Sequence, residues 1–191
     1  MSGSMKPNRL GKIVQSIHNR LPSFLHGPVL TWAFTSNIKY AGTTGIRIHE
    51  WTDHQAVVHL ANKRPVQNHL KGIHATAMAT LAESTTGMVF GLHVPDSHLP
   101  VLKRMQVHFK RRAQGDLQAV AHITPEQIHQ IQNTDKGSTI VAVRVMDEAG
   151  KQPIECEFEW AWTSKHRKQQ EPTKNTTSDD ASDDSNTRMA A

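Results

Sequence analysis

One stretch of the chain constrains the fold more than any other. Residues 72–92 contain no Lys or Arg, and Glu83 is their only formally charged side chain. Large apolar residues recur there at steps of three and four, which is the period of one helix face. Thr and Gly, both weak helix formers, occupy many of the positions between them. The pattern predicts one long helix, beginning near Gly72 or Ile73, which surrounding structure must cover on most sides.

The period of the sequence changes on both sides of this helix. Alternation of apolar and polar residues over 45–51 and 54–61 predicts a hairpin before it. About four more strands are expected after it, and a short helix starting at Pro125 is expected among them. The strands are predicted over 105–109, 117–123, 138–146 and 154–162. Before the hairpin, the spacing of apolar residues over 9–20 predicts a first helix. A short second helix is predicted after it, with Pro28 near its first turn.

Composition limits the classes of function. The 22 Lys and Arg against 17 Asp and Glu give a net charge of +5, which suits an anionic partner such as a phosphorylated cofactor. A nucleic-acid partner is not expected, because the chain lacks a known binding motif and interleaved aromatic residues. Cys156 is the only cysteine, and its position on the apolar side of a strand indicates a buried structural thiol. The 13 histidines show none of the usual metal-binding spacings, so no metal is expected.

The chain is expected to form one domain. We predict a flexible N-terminus over 1–8, a folded domain over 9–163 and a disordered polar and acidic tail over 164–191. We expect neither a signal peptide nor a membrane span. The protein is therefore expected to be cytoplasmic. Antiparallel strands half-buried on one face require a cover, which the long helix would supply. A single sheet curled round one helix leaves edge strands unpaired, which predicts a homodimer, with a dimer of dimers as the alternative.

The residues before and within the long helix carry a resemblance. The run NHLKGIHATAMATLAES (68–84) resembles the signature of hotdog-fold thioesterases similar to the phenylacetyl-CoA thioesterase family. That signature has Asn, a Gly-containing loop, His-Gly-Gly, and Leu-Ala-Asp on the helix, and here Asn68, His74 and Glu83 fall in register with it. Residues 107–121 resemble the family's strand-turn-strand segment, and a bacterial group of hotdog domains of unknown function is similar too. The resemblance implies an α+β hotdog fold, a curved antiparallel sheet wrapped round one long helix.

The resemblance also implies a chemistry, the hydrolysis of acyl thioesters. Glu83 would be the general base or nucleophile, Asn68 and His74 would assist it, and the backbone of Gly72 and Ala75 would polarise the thioester carbonyl. In this fold the loop and the acid typically meet across a dimer interface. The chain departs from the signature in having His74-Ala75-Thr76 for His-Gly-Gly, and Glu for Asp.

Lys110, Arg111 and Arg112 are candidates to hold the coenzyme A phosphates, and the alternative is that they form an ordinary solvated face. The substrate would be an acyl-CoA or an acyl-carrier thioester, and no cofactor is expected beyond coenzyme A as part of the substrate.

Two other functions fit the same residues. His69 precedes Glu83 by fourteen residues, the spacing of the catalytic pair in hotdog dehydratases that act on hydroxyacyl thioesters. An enoyl- or hydroxyacyl-thioester hydratase or dehydratase is therefore the first alternative. The second is a module that binds acyl thioesters without turnover. Glu83 could also be a structural acid paired with a neighbouring arginine across the interface, and His74 could simply cap the helix.

Overall fold

The computed structural model describes residues 7–165 as five α-helices, one short 3₁₀ helix (Arg64–Val66) and one six-stranded sheet. The helices are α1 (Arg9–Arg20), α2 (Ser23–Asn37), α3 (Lys39–Thr44), α4 (Ala75–Gly91) and α5 (Pro125–Asn133). The strands are β1 (Arg47–Trp51), β2 (Gln55–Leu60), β3 (His98–Phe109), β4 (Leu117–His122), β5 (Lys136–Asp147) and β6 (Ile154–Ser164). The predicted N-terminal segment and tail lie almost entirely outside the described residues. No described helix is both long enough and apolar enough to cross a membrane.

The central helix α4 is buried along most of its length, as its lack of charge predicts. Its threonines can be buried because their hydroxyls bond within the helix; Thr85 Oγ1, for example, donates to the Leu81 carbonyl at 2.6 Å. The carbonyls at its C-terminal end are satisfied by distant side chains. Trp51 Nε1 donates to the Met88 carbonyl at 3.1 Å, and Asn8 Nδ2 donates to the Gly91 carbonyl at 2.7 Å. Tertiary contacts, rather than local propensity, therefore stabilise this helix.

The start of α4 differs from the predicted one. The helix begins at Ala75 rather than near Gly72, because His74 is its N-cap and accepts a hydrogen bond from Thr76 N–H. Gly72 and Ile73 belong to the preceding loop, in which Asn68 N–H donates to the Gly72 carbonyl at 2.8 Å. The predicted helix was thus too long by about one turn at its N-terminal end.

The six strands form one antiparallel sheet in the order β1-β2-β4-β5-β6-β3. Every strand from β2 onward packs against α4, so the sheet curves round the helix. Small residues allow this close approach: a Cβ atom at Gly87 of α4 would lie 2.9 Å from Trp160 Cζ2 on β6. The predicted architecture, a hairpin, a buried helix and four further strands, is confirmed.

The N-terminal helices cover the side of the molecule between β1 and α4. The predicted first helix over 9–20 is confirmed, but the predicted short second helix was wrong. It runs for 15 residues from Ser23, so Pro28 lies inside it rather than near its first turn, and α3 was not predicted. Proline in a helix interior removes one backbone hydrogen bond, and the packing of α2 against β1 offsets that loss.

The two edge strands of the sheet differ in whether another element covers them. On β1, Ile48 N–H faces outward and donates to Thr31 Oγ1 of α2 at 2.8 Å, so a helix covers this edge. The outer edge of β3 has no strand beside it among residues 7–165. Met105 and Phe109 of β3 are 52% and 53% exposed, although the residues beside them on β6 are buried.

Candidate functional site

Glu83 lies in an apolar groove of about 410 Å³, which we call the Glu83 groove. Its floor is one face of α4 and consists of Thr80, Glu83, Ser84, Gly87, Met88 and Gly91. One wall comes from α2, α3 and their junction, chiefly Ala33, Phe34, Ile38 and Tyr40. The other wall is formed by Trp160 and Pro100, and Leu10 of α1 also contributes.

The Glu83 side chain is half-buried and has no partner of its own. Its carboxylate makes no hydrogen bond or ion pair with any of residues 7–165. Burial raises the pKa of this carboxyl above its usual range, because a low-dielectric setting disfavours the charged form. A structural pairing with an arginine is thus absent within the described protomer. An unpaired carboxylate of raised pKa in a groove is the arrangement expected of a general base or nucleophile.

The loop before α4 is organised by Asn68. Its Oδ1 accepts hydrogen bonds from the backbone N–H groups of Leu70 at 2.9 Å and of Gly72 at 3.1 Å. Lys71 completes the turn with a φ of 59°, in the left-handed region. The side-chain Oδ1 of Asn68 is therefore engaged, whereas its Nδ2 group donates to no acceptor within residues 7–165. His69, the alternative catalytic residue, is exposed on the same loop.

The N-terminus of α4 presents free backbone donors. His74 Nδ1 accepts the Thr76 N–H at 3.2 Å, so the histidine acts as the helix cap. The N–H of Ala75 donates to no acceptor within residues 7–165 and lies at the positive end of the helix dipole. A second cavity of about 320 Å³, lined by Tyr40, Gln67 and His74 among others, opens beside this terminus. The cavity thus gives space for an oxyanion at this terminus, and the free N–H group and the helix dipole would attract it.

The loop and the acid are separated within one protomer. Glu83 follows Ala75 by eight positions, which places the two residues roughly 12 Å apart along the helix axis at 1.5 Å per residue. A thioester carbonyl cannot contact both at once. The predicted site residues therefore form two groups: Asn68, His69, Gly72, His74 and Ala75 at the helix N-terminus, and Glu83 in the groove.

The basic residues expected to bind coenzyme A have different surroundings. Arg111 Nη1 donates to Asp147 Oδ2 at 2.6 Å, and the Asp147 side chain is fully buried. Lys110 pairs with Glu155 at 3.1 Å on the surface. Arg112 has no acidic partner within residues 7–165, and its Nη2 donates to the Leu70 carbonyl at 2.6 Å. Arg112 is therefore the member of this set that lies beside the Asn68 loop with its charge unneutralised.

Sequence reasoning did not identify the walls of the Glu83 groove. Trp160 reads as an ordinary inward residue of an alternating strand, and Ala33 and Phe34 read as packing residues of α2. The small residues Gly87 and Gly91, spaced four and eight positions after Glu83, were the available signal for a free helix face.

Burial raises the pKa of the Cys156 thiol to about 11, so this cysteine is not a thiolate at neutral pH. Among residues 7–165, no cluster of three or more His, Cys, Asp or Glu could hold a metal ion.

A curved antiparallel sheet wrapped round one buried helix defines the hotdog class of proteins, and solved structures agree with this assignment. A probable thioesterase of unknown function from Pseudomonas aeruginosa matches with a TM-score of 0.65 and 22% identity, over 75% of this chain and 97% of that one. A mutant thioesterase from Pseudomonas aeruginosa matches with a TM-score of 0.57 and 18% identity, over 69% and 92% of the two chains. A thioesterase from Haemophilus influenzae matches with a TM-score of 0.55 and 13% identity, over 65% and 82%. The predicted hotdog fold is confirmed.

The chain belongs to the family described as a domain of unknown function, DUF4442, whose model matches residues 28–162. No curated protein matches the chain. The family and the fold are thus established, and both leave the reaction open.

Proposed function

We propose that this protein is an acyl-thioester hydrolase in which Glu83 activates the attacking water or attacks the thioester itself. The observation that carries the proposal is the Glu83 carboxylate, unpaired within the protomer and half-buried in an apolar groove. A carboxylate that contributes no hydrogen bond to the fold has no structural reason to be in such a setting. The names of the structural neighbours, several of them thioesterases, agree with this reaction class.

We propose further that the site is completed in a homodimer. Within one protomer the helix N-terminus and Glu83 are too far apart to act on one carbonyl, so a second copy must bring its Asn68 loop to the groove. The β3 edge is the candidate interface, because it lacks the helix cover that Thr31 gives to β1 and exposes Met105 and Phe109. Pairing of two β3 strands would extend the sheet across both protomers.

In this proposal the roles are divided between the two protomers. The Ala75 N–H, supported by the dipole of α4, stabilises the developing oxyanion. The Nδ2 group of Asn68 orients water or the thioester, while its Oδ1 holds the Gly72 backbone in place. Arg112, which carries an unneutralised charge next to this loop, binds the coenzyme A phosphates.

Subunit complementation tests the shared site. Glu83→Gln and Asn68→Ala should each be inactive as pure dimers. If they are mixed and allowed to exchange subunits, half of the dimers carry one intact site, so about a quarter of the wild-type activity should return. Activity is measured as free-thiol release from an acyl-CoA panel. A mixture of Glu83→Gln with the double variant Glu83→Gln/Asn68→Ala is the matched control, and it should stay inactive.

The outcomes distinguish the alternatives. Equal rates for wild type and Glu83→Gln would remove Glu83 from the mechanism. Hydration of a short enoyl-CoA without thiol release would select the hydratase that uses His69 and Glu83. Tight acyl-CoA binding with neither product would select the non-catalytic module. Inactive variants that fail to complement would contradict the shared site and leave the reaction class standing.

A further inference from the structure

We infer that the Glu83 groove binds an unbranched acyl chain of medium length, and that Leu10 forms its closed end. The position of the thioester at Glu83 rests on the proposed function. The direction, width and end of the groove rest on the geometry alone.

The groove extends from Glu83 towards the C-terminus of α4. Glu83, Gly87 and Gly91 are spaced by four residues and therefore lie above one another on one helix face. In the opposite direction the lining stops at Thr80, less than one turn from Glu83. A chain whose carbonyl lies at Glu83 can therefore extend only along this face towards Gly91, beside the Trp160 ring that lies against Gly87.

The groove is narrow and its wall is fixed. A Cβ atom at Gly87 would lie 2.9 Å from Trp160 Cζ2, so the indole ring lies directly against the helix. Trp160 Nε1 donates to Thr86 Oγ1 at 3.0 Å, and its ring stacks on Phe90 with centroids 5.5 Å apart. These contacts hold the ring in one orientation. A rigid narrow slot favours a linear chain over a branched one.

Leu10 closes the far end of the groove. A Cβ atom at Gly91 would lie 3.5 Å from Leu10 Cδ2, which places the leucine over the last turn of α4. The start of α1 is fastened there, because Asn8 Nδ2 donates to the carbonyls of Gly91 and Val94, both at 2.7 Å. Leu10 is thus held at the end of the groove by the hydrogen bonds of its neighbour.

The dimensions give the chain length. Eight residues from Glu83 to Gly91 span roughly 12 Å at 1.5 Å per residue. An extended alkyl chain advances roughly 1.3 Å per carbon, given its 1.5 Å bonds and tetrahedral angles. About nine carbons therefore fit before the chain meets Leu10. The far half of the groove is apolar, so each methylene that enters it should tighten binding about fourfold, equivalent to about 0.8 kcal/mol.

Equilibrium binding of uncleavable ligands tests the inference separately from catalysis. The probes are S-alkyl-coenzyme A thioethers and the free fatty acids, each with 4 to 16 carbons in steps of two. Affinity should rise by about sixteenfold per two carbons and become level at about eight to ten carbons. Titration calorimetry gives the dissociation constants.

Two variants should move this plateau in opposite directions. Leu10→Ala opens the end of the groove and should lengthen the preferred chain by about two carbons. Gly91→Leu fills the same end and should shorten it. Ile17→Ala is the matched control, because it truncates a partly buried residue of the same helix that does not line the groove; its plateau should equal that of the wild type.

A plateau that neither groove variant moves, or affinity independent of chain length in both probe series, would overturn the inference. A plateau that moves as expected in a protein that releases no thiol from any acyl-CoA would refute the proposed hydrolysis and leave the acyl groove intact. The failures of the two proposals are therefore distinguishable.

Discussion

Replacing Glu83 by Gln should abolish activity without destabilising the fold, and the reason lies in the hydrogen bonds of two acidic residues. The buried carboxylate of Asp147 accepts from Arg111 at 2.6 Å and from the N–H groups of Gln114, Ala149 and Lys151 at 3.0–3.1 Å. The carboxylate of Glu83 accepts nothing within the described residues. Asp147→Asn is therefore the structural counterpart against which Glu83→Gln is measured.

The expected magnitudes follow from these contacts. Asp147→Asn breaks a buried ion pair and turns one acceptor into a donor, which should lower the free energy of unfolding by about 3 kcal/mol. Glu83→Gln removes no hydrogen bond, so the loss of about 1 kcal/mol that accompanies a typical one is not expected. If Glu83 is the general base, the same change should lower kcat by about 10²–10⁴-fold.

The pH dependence gives a second, signed test. Burial raises the pKa of Glu83, so the folded state binds a proton more tightly than the unfolded state, and stability falls as pH rises from the unfolded-state pKa through the folded-state pKa. Glu83→Gln should therefore gain stability relative to wild type as pH rises from 5 to 8. At Asp147 burial opposes ionisation, but hydrogen bonds from the Lys151 and Gln114 backbone and from Arg111 outweigh it, and its pKa is lowered. The deficit of Asp147→Asn should thus be equal at pH 5 and 8.

Urea unfolding at pH 5 and pH 8, at one protein concentration, measures both effects. A Glu83→Gln variant that loses 1 kcal/mol or more at pH 8 would refute the reasoning, because the carboxylate would then have a stabilising partner. A stability difference that moves against the Gln variant as pH rises would refute it as well.

Three further predictions test the architecture around the site. Phe109→Arg should place a charge on the exposed inner face of β3 and give an inactive monomer; sedimentation velocity measures the mass, and a fully active dimer would contradict the proposed interface. Gly27→Ala should lower the free energy of unfolding by about 1–3 kcal/mol, because its Cβ would lie 2.8 Å from the Ile48 carbonyl oxygen, whereas Gly91→Ala, with 3.5 Å of clearance, should be neutral or stabilising. His74→Ala should cost about 1 kcal/mol through loss of the helix cap, measured in urea, and His74→Asn should restore it.

The central helix and its acid could be predicted because the signal is local. A run without basic residues and with apolar residues at helical spacing favours a helix, which pairs its backbone hydrogen-bonding groups. Its apolar side chains then favour a buried position for that helix. The position of Glu83 in that run follows directly from the sequence. The start at Ala75 agrees with the alternative that His74 caps the helix; the start predicted near Gly72 was too early, because the cap is a histidine ring nitrogen rather than the usual Ser, Thr, Asp or Asn.

The groove could not be predicted because its walls come from distant parts of the chain. Leu10, Phe34 and Trp160 belong to three elements, and nothing in their local patterns indicates that they enclose one space. The extent of α2 was obscured by Pro28, which usually marks a helix start but here lies in the interior. Packing against β1 decided that helix, and packing is a tertiary property.

Two basic residues of β3 show the same limit at the level of charge. Lys103 and Arg104 look available in the sequence, but the register of β3 with β6 places both beside Glu159, and Arg104 also pairs with Glu157. That register depends on an irregularity between Leu102 and Arg104, which the alternating pattern does not reveal. A count of charges therefore overstates the positive field that an anionic ligand would meet on this strand.

The sheet edges show how the structure decides a question that the sequence leaves open. A curled sheet has two edges, and the sequence predicts pairing between subunits without indicating which edge takes part. Thr31 accepts the outward Ile48 N–H, so α2 occupies the β1 edge. The β3 edge, with Met105 and Phe109 exposed, is then the one that a second copy can extend. The helix α2, which also forms part of the groove wall, thus covers β1 and leaves β3 as the edge for the proposed dimer.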